Sequence, residues 1–234
     1  MPRRPREIPA RAGTPTLALA LLLVAAPALA GPPIPYALES VISSVRGLDP
    51  KVLALALRAS SCAQHLGMIP ESDTLTVIDY SRPSTEPRLY VLDVERGVLL
   101  NREWVAHGKG SGGNLTRRFS NEPGSRSSSL GLFVTRDAYV GLHGPSLRLD
   151  GLEPGINDRA YERAIVLHGA SYVSWSFISE HGRLGRSWGC PALASEVAER
   201  VIERIRGGTP LFAYYPDPSW LAHSPFLGAC ESSS

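Results

Sequence analysis

Apolar and polar positions follow three different patterns along the chain. Residues 16–30 form a continuous apolar run, residues 49–67 carry apolar side chains at helical spacing, and from Thr74 onward short apolar runs are separated by Pro, Gly and Ser. The first pattern is typical of a targeting segment, the second of an amphipathic helix and the third of β-strands. The chain is therefore predicted to be a mainly β (α+β) protein with a short helical segment in front of the strands.

Two helices are predicted before the strands. Residues 37–47 have apolar side chains at helical spacing, and so do residues 49–67. The second helix has Asp49 at the N-cap, Pro50 at the first helical position and Gly67 as a C-terminal stop. Its apolar face requires a partner, so we expect it to pack on the main domain.

Strands and one further helix are predicted in the rest of the chain. Six β-rich runs predict strands: 74–80, 88–94, 97–107, 130–142, 163–168 and 209–215. An amphipathic helix, capped by Ser195 and stopped at Gly207, is predicted before the last run. Two long loops, 108–129 and 169–189, interrupt the strands. Loops of this length are usually functional or disordered, and for 108–129 a substrate-covering lid and disorder are both open.

The amino-terminal residues 1–30 have the features of a secretory signal peptide. Four arginines precede the apolar run, and Ala28-Leu29-Ala30 is a small-x-small cleavage site. The 15-residue run is shorter than the ~20 residues that a membrane-spanning helix needs. We therefore expect cleavage without stable membrane insertion, and secretion across the inner membrane to the periplasm or cell envelope.

The remaining chain is long enough for one well-cored domain with small appendages. Residues 31–70 are predicted to be a Pro-rich spacer and the helical segment that packs on the core. Residues 71–216 are predicted to form the main domain, and residues 217–234 a tail that has no clear pattern.

The charge balance argues against one class of partner. The whole chain has a formal net charge of +2, but residues 1–30 carry four Arg and one Glu, which leaves about −1 on the cleaved chain. A nucleic-acid-binding domain usually carries a basic patch or stripe. No nucleic-acid partner is therefore expected.

Three cysteines bear on the chemistry: Cys62, Cys190 and Cys230. An oxidising compartment permits disulfides. An odd number of cysteines leaves at least one of them without an intramolecular disulfide partner, and this thiol is a candidate for a reactive group. Cys62 and Cys230 either form a disulfide between the front helix and the tail or stay as two buried free thiols. Both alternatives are open at this point.

Three histidines each precede a glycine at the end of a β-rich run: His107, His143 and His168. Such a histidine is more often a hydrogen-bonded structural residue than a catalyst. Together the three could supply nitrogen ligands to zinc, but the chain lacks an HExxH motif and a known zinc-hydrolase spacing. No metal site is therefore expected.

Cys190 and His168 form the other candidate constellation. A cysteine nucleophile needs a base within reach and backbone donors for the oxyanion. Cys190 follows His168 by 22 positions, a separation that a loop can close. Gly189 leaves room for a carbonyl beside the sulfur, and an adjacent imidazole would lower the thiol pKa.

Specific flanking sequences surround both residues: RAIVLHGASYVS contains His168 and GRLGRSWGCPAL contains Cys190. They resemble the signature of the L,D-transpeptidase catalytic domain family (YkuD-type), in the murein branch whose motif ends Ser-x-Gly-Cys-Pro. The upstream segments VAHGKGSGG, RFSNEPGSRSSSLGLFVT and YVGLHGPSLRLDGLEPGIND resemble that branch in order and spacing. The resemblance covers about residues 74–214 and implies an L,D-transpeptidase-like β-sandwich or barrel with one helix after Cys190.

The resemblance also implies roles for individual residues. Cys190 matches the family nucleophile and His168 the general base and acid. Ser187 matches a positioning residue of the motif, and the backbone of Gly189 is expected to hold the oxyanion. Trp188 stands where many members have histidine, and the residues after the cysteine lack the arginine that often binds the substrate carboxylate. Substrate contacts are expected from Arg186, His143, Gly169 and Trp188.

The implied reaction is cysteine acyl transfer on peptidoglycan stem peptides, with release of D-alanine and formation of 3→3 cross-links. No cofactor is needed, and acylation by carbapenems is expected. Three alternatives stay open. Water as acceptor would make the protein an L,D-carboxypeptidase, loss of activity would make it a murein-binding envelope protein, and zinc would make it a murein hydrolase.

Overall fold

A single eight-stranded sheet organises the chain in this computed structural model. The structure describes Met1, Val45 and residues 47–142, 144–228 and 230. The predicted signal peptide, apart from Met1, and nearly all of the predicted helix over 37–47 lie outside these ranges. Within the described ranges, no helix is both long enough and apolar enough to span a membrane.

The strands confirm the mainly β prediction. Their bounds are β1 (Thr74–Asp79), β2 (Leu89–Asp93), β3 (Val98–Glu103), β4 (Gly131–Gly141), β5 (Gly144–Gly151), β6 (Val166–Ala170), β7 (Ala192–Ala194) and β8 (Pro210–Tyr214). Their order in the sheet is β3-β2-β1-β8-β4-β5-β6-β7. The pairs β1–β8 and β6–β7 are parallel, and the other neighbours are antiparallel.

The two edges of the sheet meet where the chain continues beyond β3. Ala106 pairs with Ala192 of β7 through backbone N–O distances of 2.8 and 3.3 Å, and Gly108 bridges to Ser187. The sheet is therefore nearly closed, like a barrel, and its open edges are reduced. We call this junction, residues 105–108 against residues 187–192, the seam.

The predicted front helix is confirmed as α1 (Pro50–His65). The Asp49 carboxylate accepts a hydrogen bond from the backbone N–H of Lys51 at 2.8 Å, and Gly67 follows the helix with a φ of 67°. One face of α1 is buried against β1 and β8. The helix thus contributes to the same core as the sheet.

Helix α3 (Ser195–Ile205) matches the predicted amphipathic helix, but its predicted cap is wrong. Ser195 is the first helical residue, and Ala194 occupies the N-cap position without a side-chain hydrogen bond. The reason is that β7 runs directly into the helix, which leaves no loop for a capping residue. Gly207, with a φ of 89°, follows the end of the helix as predicted.

Four elements lie where sequence reasoning placed none: the strands β5 and β7 and two short helices. The predicted loop 169–189 contains α2 (Trp175–His181), which is capped by Ser174 and ends at Gly182. Seven residues are too few for a clear helical period. Strand β5 was also missed, since its glycines, proline and aspartate interrupt the alternating pattern.

The tail is part of the fold. Asp217 caps helix α4 (Pro218–His223), and the buried Trp220 donates its indole N–H to Glu153 at 2.9 Å. Cys230 forms a disulfide with Cys62 of α1, with a Cα–Cα distance of 5.6 Å. This bond settles the choice that the sequence left open in favour of pairing and leaves Cys190 as the free cysteine. We call α1, α4 and this bond the disulfide end.

Candidate active site

The pairing of β6 with β7 brings the two predicted reactive residues together. His168 lies opposite Ala192 in this parallel ladder, and its N–H donates to the carbonyl of Pro191 at 3.3 Å. Cys190 directly precedes that proline, and its Sγ lies 3.5 Å from the backbone nitrogen of Val166 on β6. The two side chains thus come from neighbouring strand ends at the seam.

His168 is held in one tautomer. Its ring is buried, and Nδ1 lies 2.9 Å from the carbonyl oxygen of Gly169. A carbonyl can only accept, so Nδ1 carries the proton, and Nε2 is the basic nitrogen of the neutral ring. This orientation is the one that a general base requires.

The Cys190 thiol is partly buried and rests in the protonated form. It lies 3.7 Å from the carbonyl oxygen of Ala164, to which it can donate. Burial raises the pKa of the Cys190 thiol, while the Val166 N–H, the charge of Arg163 and its own N–H oppose that rise. A base is therefore needed to generate the thiolate at neutral pH.

Ser187 fixes the turn that presents the cysteine. Its hydroxyl donates to the carbonyl of Cys190 at 2.6 Å and accepts from the N–H of Gly189 at 3.1 Å. This geometry fits a positioning role for Ser187. It does not fit the predicted oxyanion contact of Gly189, because the Gly189 N–H already has an acceptor within the turn.

Gly189 has a conformational function instead. Its φ is 135°, and a Cβ at this position would lie 3.0 Å from the carbonyl oxygen of Ser127 and 3.1 Å from Ile165. Side-chain-bearing residues rarely adopt such a φ. Glycine is therefore required both for the backbone direction and for the close approach of the next loop.

That next loop, residues 108–129, is packed against the cysteine segment. Ser128 accepts from the N–H of Gly108 and donates to the carbonyl of Gly189, both at 3.0 Å. A Cβ on Gly108 would lie 2.8 Å from the Cα of Gly189. In this structure the loop is therefore neither the disordered segment nor the separate lid considered above, but part of the wall around Cys190.

Arg163 holds the same loop through several hydrogen bonds. Its guanidinium donates to four groups at 2.6–3.3 Å: the carbonyls of Ser120 and Ser127 and the hydroxyls of Ser125 and Ser129. It also contributes the positive charge that opposes the raised pKa of Cys190. Sequence reasoning missed Arg163, because its partners lie 34–43 residues earlier in the chain.

A buried arginine supports the seam from inside. Arg88 donates to the carbonyls of Val105 and Arg82 and to Nδ1 of His107 at 2.7 Å. The His107 carbonyl in turn accepts from the N–H of Ser187 at 3.0 Å. The chain of contacts therefore runs from a fully buried guanidinium to the turn that carries Cys190.

The same contact argues against His107 as a zinc ligand. Burial and the neighbouring Arg88 lower the pKa of His107 to about 3, so the ring is neutral. Since Nδ1 accepts from Arg88, the proton of the neutral ring is on Nε2. Neither nitrogen then offers a lone pair to a metal, and the three-histidine hypothesis loses one of its ligands.

The predicted substrate residues have different surroundings. A Cβ at Gly169 would face helix α3, where it would lie 3.2 Å from the side chain of Ala198. The α-carbon of Gly169 therefore packs against α3, and the predicted substrate contact of this residue stays a prediction. Arg186 donates to the carbonyl of Gly112 at 2.7 Å and so joins the two loops. His143 lies outside the described residues.

Trp188 is the exposed member of the motif, with 70% of its surface accessible. Two cations lie over its ring: Lys109 Nζ at 5.2 Å and the guanidinium carbon of Arg126 at 4.8 Å from the centroid. These distances fall within the range of cation–π contacts. An aromatic surface with two positive charges therefore stands two residues before Cys190.

Comparison with known proteins identifies the family of this chain as that of the L,D-transpeptidase catalytic domain. Residues 44–214 match the model of the L,D-transpeptidase catalytic domain. No curated protein matches the chain.

Several solved structures are similar to it. An L,D-transpeptidase from Mycobacterium smegmatis shares 15% identity over 61% of this chain and 59% of its own, with a TM-score of 0.38. The values are identical for L,D-transpeptidase LdtMt1 in complex with imipenem. An L,D-transpeptidase from Xylanimonas cellulosilytica shares 17% identity over 72% of this chain and 81% of its own, with a TM-score of 0.35.

Proposed function

Since this chain belongs to the L,D-transpeptidase catalytic domain family, we propose that it transfers acyl groups between peptidoglycan stem peptides, with Cys190 as nucleophile and His168 as general base. The observation that carries the proposal is the β6–β7 pairing. In this pairing His168 lies opposite Ala192, two residues after the free Cys190, and its Nδ1 lies 2.9 Å from the carbonyl oxygen of Gly169. Ser187 and Gly189 of the same motif then hold the segment that carries the thiol.

The first half of the reaction forms a thioester. His168 accepts the thiol proton at Nε2, and the sulfur attacks the carbonyl of the third residue of a tetrapeptide stem. The bond between sulfur and carbon forms, the amide bond to the terminal D-alanine breaks, and His168 returns the proton to the leaving amine. Charge and protons balance without a further reactant.

The developing oxyanion needs a donor, and Gly189 is engaged elsewhere. The N–H of Cys190 lies close enough to its own sulfur to oppose the rise in the thiol pKa. Together with the Val166 N–H, whose nitrogen lies 3.5 Å from that sulfur, it is a candidate backbone donor to a carbonyl attacked there. Ser187 and Ser128 hold this segment by accepting and donating on either side of Gly189.

The second half of the reaction resolves the thioester. An amine from a second stem peptide attacks the acyl carbon and gives its proton to His168. The sulfur leaves as thiolate and takes up that proton from His168, and a 3→3 cross-link forms. With water in place of the amine, the same intermediate would yield an L,D-carboxypeptidase product. The ratio of cross-linked dimer to tripeptide, measured with purified tetrapeptide, decides between these outcomes.

The experiment that tests the catalytic proposal is acylation by a carbapenem. Imipenem, the compound in complex with LdtMt1, is incubated with the mature protein, and the intact mass is measured. We expect one adduct per chain, lost in Cys190→Ala and formed at least ~100-fold more slowly in His168→Gln, in line with the 10²–10⁴-fold contribution of general acid–base catalysis. His181→Gln is the matched control, because His181 is an exposed histidine on α2.

Three results would contradict the proposal. An adduct that persists in Cys190→Ala would exclude this nucleophile. Binding to murein sacculi without any adduct would instead support a non-catalytic envelope protein. Stem-peptide cleavage abolished by a chelator would support a zinc hydrolase.

We further propose that the protein acts in the periplasm or cell envelope after cleavage behind Ala30. The Cys62–Cys230 disulfide supports this location, because such bonds persist in oxidising compartments. Terminal sequencing of the protein from the envelope fraction should find Gly31 as the first residue. An uncleaved cytosolic protein would contradict this part of the proposal.

A further inference from the structure

We propose that Trp188, Lys109 and Arg126 form a carboxylate-binding platform for the stem peptide of the acyl donor. The inference rests on the proposed function and adds a specificity determinant to it. None of the matched motif residues after Cys190 offers an arginine for this purpose. Trp188, in contrast, lies two residues before Cys190, and the other two side chains contact its ring. We call the three residues the platform.

The platform is built by backbone contacts between two segments. The N–H of Lys109 donates to the carbonyl of Ser187, the residue before Trp188, at 2.9 Å. The N–H of Gly110, the residue after Lys109, donates to the carbonyl of Arg126 at 2.8 Å. The three side chains therefore come from adjacent backbone positions and not from independently moving surface loops.

Arg126 occupies an unusual conformation. Its φ of 54° places a side-chain-bearing residue in the left-handed region, which costs free energy and concentrates at functional sites. This backbone directs the guanidinium to 4.8 Å from the Trp188 ring centroid. Glycine or asparagine would adopt such a φ at a lower cost, and an arginine at this position is therefore a candidate for a functional residue.

The charges of the platform are available to a ligand. Lys109 and Arg126 are exposed, and within the described part of the chain neither forms a salt bridge with a carboxylate. Lys109 Nζ lies 5.2 Å and the guanidinium carbon of Arg126 4.8 Å from the same ring centroid. Two positive charges beside one exposed ring attract an anion to that part of the surface.

The surrounding charge has the same sign. The loop 108–129 carries four basic residues and one acidic residue, although the chain without residues 1–30 has a net charge of about −1. The segment 182–193 adds Arg183 and Arg186 without any acidic residue. Positive charge is therefore concentrated at the rim beside Cys190, where it would attract a peptide that carries several carboxylates.

The experiment measures peptide binding to the unreactive Cys190→Ala protein. The probe is a fluorescent tetrapeptide stem with free carboxylates, compared with the same peptide in which the carboxylates are carboxamides. We expect Lys109→Gln and Arg126→Gln each to weaken binding of the free-carboxylate peptide by ~10-fold, as for a charge-assisted contact. Neither variant should change binding of the carboxamide peptide, which should be weak.

Two controls separate specific contacts from general charge. Arg118→Gln removes one positive charge from an exposed position in the same loop and should change binding by less than ~2-fold, as for a screened surface charge. Arg126→Lys keeps the charge and should restore part of the lost affinity. Equal binding by Arg126→Gln and Arg118→Gln, or no binding of either peptide at millimolar concentration, would overturn the inference.

The proposed function is checked separately in the same series. The imipenem adduct of the wild-type protein, and its loss in Cys190→Ala, test the nucleophile without any change to the platform. An adduct without any platform effect would reject only the platform. The absence of an adduct in the wild type would reject the proposed function itself.

Discussion

The seam and the disulfide end both join distant parts of the chain, but they do so with different interactions. At the disulfide end, α1 and α4 bury apolar faces, and one covalent bond links residues 168 positions apart. At the seam, glycines let backbones meet, and Ser187, Ser128 and Arg163 supply hydrogen bonds. Apolar burial and a disulfide tolerate small shifts of the side chains, whereas a hydrogen-bonded turn fixes atomic positions.

From this difference we expect the stability of the fold and the reactivity of Cys190 to depend on different regions of the molecule. The disulfide end should determine how much free energy is needed to unfold the chain, with little effect on Cys190. The seam should determine how fast Cys190 reacts, with a smaller effect on unfolding. The following predictions test this division, from the largest expected effect to the smallest.

Removal of the disulfide should cause the largest loss of stability. The double variant Cys62→Ala/Cys230→Ala is expected to lower the free energy of unfolding by ~2–5 kcal/mol, because the unfolded chain gains conformational freedom. Urea unfolding followed by circular dichroism measures the loss. At a temperature where the variant is folded, its rate of imipenem acylation should stay within ~2-fold of the wild type, as expected if stability effects do not reach the site. A similar fall in the acylation rate would show that the disulfide end also controls the reactivity of Cys190.

Replacement of Gly189 by alanine should cause the largest loss of reactivity. The added Cβ meets Ser127 and Ile165 and cannot adopt the native φ without strain. Displacement of the cysteine segment by about 1 Å is expected to slow acylation by ~100-fold. Gly113→Ala is the matched control, because a Cβ there contacts nothing within 4 Å. Equal rates for both variants would show that the turn is not needed.

Arg163 should have an intermediate effect on the same rate. Arg163→Gln removes the charge that opposes the raised pKa of Cys190 and loosens the loop that walls the site. We expect a ~10-fold slower acylation at neutral pH, because less thiolate forms and the loop is held less firmly. Arg159→Gln is the control, since Arg159 binds Glu122 and Glu162 in exposed ion pairs. A similar loss in the control would point to general charge and not to this contact.

The pH dependence of alkylation should give the smallest and most specific effect. Burial raises the Cys190 pKa, so less thiolate is present at a given pH, and reaction with iodoacetamide should continue to increase above the ordinary thiol pKa. In Arg163→Gln the profile should shift further toward alkaline pH. A profile that levels off below the ordinary thiol pKa would contradict the assigned direction.

The sequence predicted the two candidate catalytic residues but not the contacts that hold them. His168 and Cys190 carry local signatures, a strand-end histidine before glycine and a motif around the cysteine. Arg88 and Arg163 carry none, because their partners are mostly backbone carbonyls and hydroxyls whose identity the sequence does not encode. The hydrogen bond from the Gly189 N–H to Ser187 was not predicted either, since the acceptor of this N–H is set by the turn.

The amino-acid sequence by itself determined the local properties of this protein. The alternating runs specified most strands, Asp49 and Gly67 specified the ends of α1, and the odd cysteine count left one thiol over. These properties depend on neighbours within a few residues.

Only the tertiary structure decided the pairing of Cys62 with Cys230, the closure of the sheet at Ala106 and Ala192, and the ring contacts of Trp188. Each joins residues from distant parts of the chain. Their meeting depends on how the whole sheet twists and closes, and no local pattern contains that information.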